Sequence, residues 1–144
     1  MSPTDVPFWD AVDQIRESDP RFRREAYGFL LLSLGATVNG LSAERQADPA
    51  RRHLSGAELL RGMVSLAHSE FGAMAPAVFR EWGVRVSADV GDMVFQLVEC
   101  GQLSARPEDT REDFQGFDLM GMLAEGSGGV PARKRQRPSS GGPA

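Results

Sequence analysis

His53 and His68 are the chain's two histidines and Cys100 its one cysteine, so metal binding, proton transfer or thiol chemistry would have to begin at these side chains. Neither histidine has a cysteine or carboxylate beside it at a metal-ligand spacing such as HxxxH or CxxC, and no metal set is expected. His53 immediately precedes a helix-capping sequence, where a side chain commonly packs over the helix start. His68 falls beside an apolar helical stripe and reads as a packing histidine. Cys100 lies in an apolar helical stretch, where a thiol behaves as a small hydrophobe, and without a second cysteine it forms no internal disulfide.

The segment Asp109-Thr110-Arg111-Glu112-Asp113-Phe114 gathers three acids around one cation, which raises paired-carboxylate or divalent-ion chemistry. The calcium-loop pattern and its glycine are absent. The plainer reading is a turn or helix start capped by Thr110, with Arg111 pairing an acid and Phe114 plugging the core. No nucleophile stands with either histidine, so neither catalysis nor a cofactor is expected. Asp89, Asp92, Arg111, Glu112 and Asp113 remain as candidate partner-binding residues. Arg133, Lys134, Arg135 and Arg137 are the candidate nucleic-acid contacts.

Charge sharpens this division. The net charge of −4 includes the four cations of residues 133–137; without them the chain has 12 basic against 20 acidic groups, a net of −8. Residues 87–132 hold 2 basic against 9 acidic groups, so a phosphate backbone is repelled there and no nucleic-acid contact is expected through the folded part. An acidic face instead suits a basic protein partner. With 144 residues, 41% of them apolar, the chain suits one domain with a real core. It has no apolar run near the roughly 20 residues that span a bilayer and no basic leader before an apolar segment, which predicts a soluble, cytoplasmic protein away from membranes.

The elements that must carry these residues are helical. Phe8, Ala11, Val12 and Ile15 share one helical face over residues 7–18, and Asp19-Pro20 reads as the restart of a second helix reaching about Thr37, with Phe22, Ala26, Phe29 and Leu30 inward. Asn39-Gly40 ends it, and residues 41–54 are a polar loop with at most one helical turn. Ser55 and Glu58 form a reciprocal capping box for a third helix whose stripe is Leu59, Leu60, Met63, Val64, Ala67 and Phe71, stopped by Gly72. A fourth, over residues 73–82, presents Met74, Ala77, Val78 and Trp82 and ends at Gly83. Residues 84–86 are a short strand or extended link. Ser87 then caps a fifth helix bearing Val90, Met93, Val94, Leu97 and Val98, ended by Gly101. Residues 102–118 are predicted to form a two-stranded wing or an irregular flap.

The fold class is therefore mainly α: about five helices in one domain over residues 1–118, with residues 55–118 winged-helix-like. Residues 119–144 form a flexible tail whose Gly, Ser, Pro and Arg content from residue 126 cannot repay the entropy of ordering. The expected continuous core is Leu60, Val64, Phe71, Val78, Trp82, Val94, Leu97 and Val98.

The order of motifs in residues 6–118 resembles a family of uncharacterised short proteins from planctomycete and verrucomicrobial bacteria. The resemblance rests on Asp19-Pro20-Arg21 with Ala26-Tyr27, His53-Leu54-Ser55-Gly56 with Glu58-Leu59-Leu60, and Phe71-Gly72 with Met74-Ala75. It continues through Glu81-Trp82-Gly83, Asp89-Val90-Gly91, Val94-Phe95-Gln96-Leu97-Val98 and Arg111-Glu112-Asp113-Phe114. It implies a shared fold and supplies no catalytic residues. Together these readings predict a noncatalytic interaction or adaptor module of the bacterial cytoplasm with an unknown protein partner, basic where it meets the acidic face. The alternative is a nucleic-acid-associated regulator that contacts phosphate through its basic tail.

Overall fold

The computed structural model describes residues 7–126, which are mainly helical, with no strand among them. In chain order they form α1 (Phe8–Ser18), α2 (Arg24–Asn39), α3 (Ala43–Ala47), α4 (Gly56–Phe71), α5 (Ala75–Trp82), α6 (Ser87–Glu99) and α7 (Leu119–Gly126). Single 3-10 turns at Gly72–Met74 and Arg111–Phe114 join α4 to α5 and α6 to α7.

The α2–α4 pair is the centre of the bundle. Gly62 brings their backbones together, because a Cβ there would overlap the Thr37 hydroxyl oxygen. Leu30 and Phe29 of α2 meet Leu60, Met63 and Ala67 of α4, all buried. Phe29 also gathers Phe71, Phe79 and Trp82 at centroid separations of 5.4, 5.9 and 5.4 Å, the Phe79 pair edge-to-face as ring quadrupoles prefer and the other two tilted. The two aliphatic hydroxyls of α2 are satisfied locally: Ser33 donates to the Phe29 carbonyl at 2.8 Å and Thr37 to the Ser33 carbonyl at 2.6 Å.

Several sequence expectations shift here. The second helix starts at Arg24, four residues beyond Pro20, because residues 19–23 are held from outside the helix. Arg16 Nε donates to the Phe22 carbonyl at 2.7 Å, the Arg23 amide donates to the Trp82 carbonyl at 3.0 Å, and the Phe22 ring is buried. Ser87 is the first residue of α6 and no cap; Asp89 does the capping, accepting from the Arg85 and Val86 amides at 2.9 and 3.1 Å. Residues 84–86 are a link, and residues 102–118 are the irregular flap and not a pair of strands.

The face of α5 is rotated from the predicted one. Ala75 and Phe79 are buried, Met74 is 61% exposed, and Val78 is only half-buried. In a helix of two turns, positions 74, 77, 78 and 82 and positions 75, 79 and 82 are equally regular stripes that share Trp82, and the Phe79 ring decides between them. Leu60, Val64 and Leu97 are buried as expected; Phe71, Trp82 and Val94 pack half-buried against the core, and Val98 is half-buried outside it. Gly83 ends α5 at φ +88°, where a Cβ would also overlap the Arg21 carbonyl oxygen, so glycine is required twice over.

The domain does not stop at residue 118. Leu119 and Leu123, one helical turn apart on α7, are both buried against the bundle, and His68 Nε2 lies 3.0 Å from the carbonyls of Met122 and Leu123. The tail expected from residue 119 therefore begins no earlier than the end of α7, and residues 127–144 lie outside the described part. Leu123→Ala should lower stability by about 2–5 kcal/mol, as truncations that leave a core cavity do. Urea denaturation read by circular dichroism measures this; an unchanged midpoint would place α7 outside the core.

Candidate functional site

Two irregular segments, residues 48–55 and 102–114, face each other across a cleft of about 420 Å³. Such a volume is in the range of roughly 300–1,000 Å³ that small-ligand and side-chain pockets occupy. Its floor is apolar: Leu34 and Val38 come from α2, Leu59 from α4, Val94 and Phe95 from α6, with Leu103 and Phe114 from the flap. The Phe114 ring packs against Gly91, where a Cβ would stand 2.9 Å from Phe114 Cβ, so this glycine lets the flap close onto α6.

One wall hangs from Arg45. Its guanidinium grips both oxygens of Glu58 at 2.5 and 2.8 Å, and also donates to the carbonyls of Arg51 at 2.5 Å and His53 at 3.2 Å. Glu58 meanwhile completes the predicted capping box: it accepts from the Ser55 amide at 2.9 Å, while Ser55 Oγ accepts from the Glu58 amide at 3.1 Å. The Arg45 guanidinium, followed by the Ser55 amide, holds the Glu58 carboxyl well below its ordinary range, at about 2.

The other wall hangs from Arg111. This residue donates to Asp92 at 2.8 Å, lies 3.7 Å from Glu99 and covers the Phe95 ring at 5.5 Å. Asp92 in turn accepts from Arg21 at 3.2 Å, which is locked by Asp19 at 2.8 to 3.1 Å. Gln96 bridges this surface network to the interior, donating to Asp19 at 2.7 Å and accepting from the buried Tyr27 hydroxyl at 2.6 Å. Burial pushes the Tyr27 phenol up to about 12, so it stays a neutral donor. The Arg21 side chain pulls the Asp19 carboxyl down.

Across the mouth, the walls are clasped. His53 Nε2 donates to Asp109 Oδ2 at 2.6 Å, Asp109 also accepts from the Arg106 amide at 2.8 Å, and the Arg106 guanidinium donates to the Ala50 carbonyl. The His53–Asp109 pairing joins residues 56 apart in sequence, and no spacing signal announces it.

Of the five residues marked as candidate partner contacts, only Asp113 lines the cleft, and one of its oxygens accepts from the Thr110 amide at 3.0 Å. Asp89 is used in capping α6, Asp92 and Arg111 are paired with each other, and Glu112 is exposed on the same turn as Asp113. Cys100 is not in an apolar interior: it is exposed just past the end of α6, its thiol 3.5 Å from the Leu97 carbonyl. Arg133, Lys134, Arg135 and Arg137 lie outside the described residues. Among the described residues, no three His, Cys, Asp or Glu side chains stand together as a metal set, and no helix is long and apolar enough to cross a membrane. No family model, curated protein or solved structure matches this chain.

The depressed Glu58 carboxyl fixes a pH window. A carboxylate held below its ordinary value stabilises the fold above that value, near 4.5, and the contribution is lost as pH falls towards about 2. The stability gap between the wild type and Glu58→Gln should therefore be widest above pH 4.5 and shrink between 4.5 and 2. Urea melts at several pH values measure it; a gap that does not change with pH would contradict the Arg45–Glu58 account.

Proposed function

We propose that this protein is a noncatalytic protein-interaction or adaptor module that seats an apolar segment of a partner in the cleft between residues 48–55 and 102–114. The observation that carries this reading is the contrast between floor and rim. The floor is a set of aliphatic and aromatic side chains, of which Leu34, Val38, Val94, Phe95 and Leu103 stay half-buried at the cleft surface while Leu59 and Phe114 are buried beneath, whereas His53, Asp109, Ser55 and Asp113 around it are bonded to neighbours in the protein. An apolar surface left open in this way favours a partner's side chains. Rim groups engaged in this way offer little to a reaction.

The order α4, α5, α6 followed by a flap supports the winged-helix-like reading of the second half, although the flap holds no pair of strands to serve as a wing, and within this proposal the likeness goes without DNA binding. Glu99, Glu108, Glu112 and Asp118 are exposed on this half, which favours a protein partner over a phosphate backbone. A cytoplasmic partner fits the same reading.

Blocking the cleft is the test. Ala105 is exposed and lines the mouth, so Ala105→Trp should fill it without disturbing the core, whereas Leu32→Lys alters a 67% exposed position on α2 outside the cleft. Affinity capture from nuclease-treated lysate of the source organism should recover a partner with wild type and Leu32→Lys and lose it with Ala105→Trp. Recovery of the same partner by folded Ala105→Trp would exclude the cleft as its seat.

A further inference from the structure

The two walls of the cleft carry opposite charge, and the fold itself sorts them. On the 48–55 side, Asp48 turns its carboxylate into its own loop, accepting from the Ala50 amide at 3.0 Å. That leaves Arg51 and Arg52 exposed, and Arg52 lines the cleft with no side-chain hydrogen bond or ion pair to another described residue. On the 102–114 side the arrangement is reversed. Arg106 reaches across to the Ala50 carbonyl and Arg111 is engaged by Asp92 and Glu99, so both cations of that wall are occupied. Asp109 and Asp113 line the cleft, and Glu108 and Glu112 stand exposed beside them.

Resting on the reading of the cleft as a partner's seat, we infer that its occupant is a short segment of a partner protein with apolar side chains flanked by an acid on one side and a base on the other. The apolar side chains take the floor of Leu34, Val38, Phe95 and Leu103. The flanking acid meets Arg52, whose planar guanidinium suits a carboxylate, and the flanking base meets the Asp113 and Glu112 side. A uniformly basic segment, which the net acidity of the chain would suggest, meets Arg52 with like charge. A uniformly acidic one is repelled by the opposite wall. Rim charges of this kind select orientation and partner more than they add affinity.

Fluorescence anisotropy with the full chain and four labelled synthetic peptides tests this. The peptides share one Leu and Phe face and differ only in flanks: mixed Glu and Lys, all Glu, all Lys, or all Gln. The mixed peptide should bind about three- to tenfold tighter than the others at low salt, a range set by exposed ion pairs. That preference should collapse near 0.5 M salt, where charges more than about 4 Å apart are screened. Arg52→Glu, an exposed substitution whose fold is checked by its melting curve, should transfer the preference to the all-Lys peptide. Ala105→Trp should abolish binding of every peptide. Equal binding of all four peptides, blocked by Ala105→Trp, would overturn the charge inference and leave the cleft as an apolar seat. Binding of none, or binding indifferent to Ala105→Trp, would overturn the cleft reading itself.

Discussion

The carboxylate of Glu58 is the constraint on which the rest of the site depends. One oxygen caps the start of α4 through the Ser55 amide, and both oxygens receive the Arg45 guanidinium, whose remaining donors hold the carbonyls of Arg51 and His53. Helix start, α3 and the wall of the cleft therefore share a single acid. Without it the loop at residues 48–55 would have to satisfy those carbonyls with water and would lose the fixed course that places His53 opposite Asp109. A charge-assisted bidentate pair is one of the few surface interactions whose geometry, as well as its energy, can set a loop's path.

The opposite wall is organised by the same means from another direction. Arg111 ties the flap to α6 through Asp92, and Asp92, Arg21, Asp19, Gln96 and Tyr27 carry that tie into the core beneath α2. Each wall is thus an irregular segment hung on a helix by an arginine, with the apolar floor left open between them. Each side chain of the polar chain from Tyr27 to Arg111 has a hydrogen-bond partner within it, so the members polarise and hold one another.

The regular parts of this arrangement were legible in the sequence because they are written locally. The Ser55–Glu58 box, the stripe of α4, the glycine stops at Gly72 and Gly83 and the inward Phe114 each follow from residues within one or two turns of each other. α7 was not legible. Its Leu119 and Leu123 have helical spacing, but Gly121 between them, Gly116 before and Gly126 after weaken the local signal, and burial against α4 and α5 supplies what propensity does not. The cleft was hidden for a different reason. Its floor comes from α2, α4, α6 and the flap, and its clasp joins His53 to Asp109 from distant parts of the chain. Arg111 pairs with an acid as its charged surroundings suggested, but the acid is Asp92 of α6, 19 residues away, which the sequence did not single out as its pair.

The central claim, that the Arg45–Glu58 pair fixes the cleft wall and not the bundle, is tested most directly by amide hydrogen exchange in Arg45→Ala. In the wild type the Arg51 and Arg52 amides bond to the Asp48 carbonyl and the Ser55 amide to Glu58. The account predicts faster exchange at these three amides, with protection inside α2 and α4 lowered by no more than the change in global stability read by urea. Unaltered exchange at residues 51, 52 and 55, or a loss of protection inside α2 and α4 larger than that change, would contradict it.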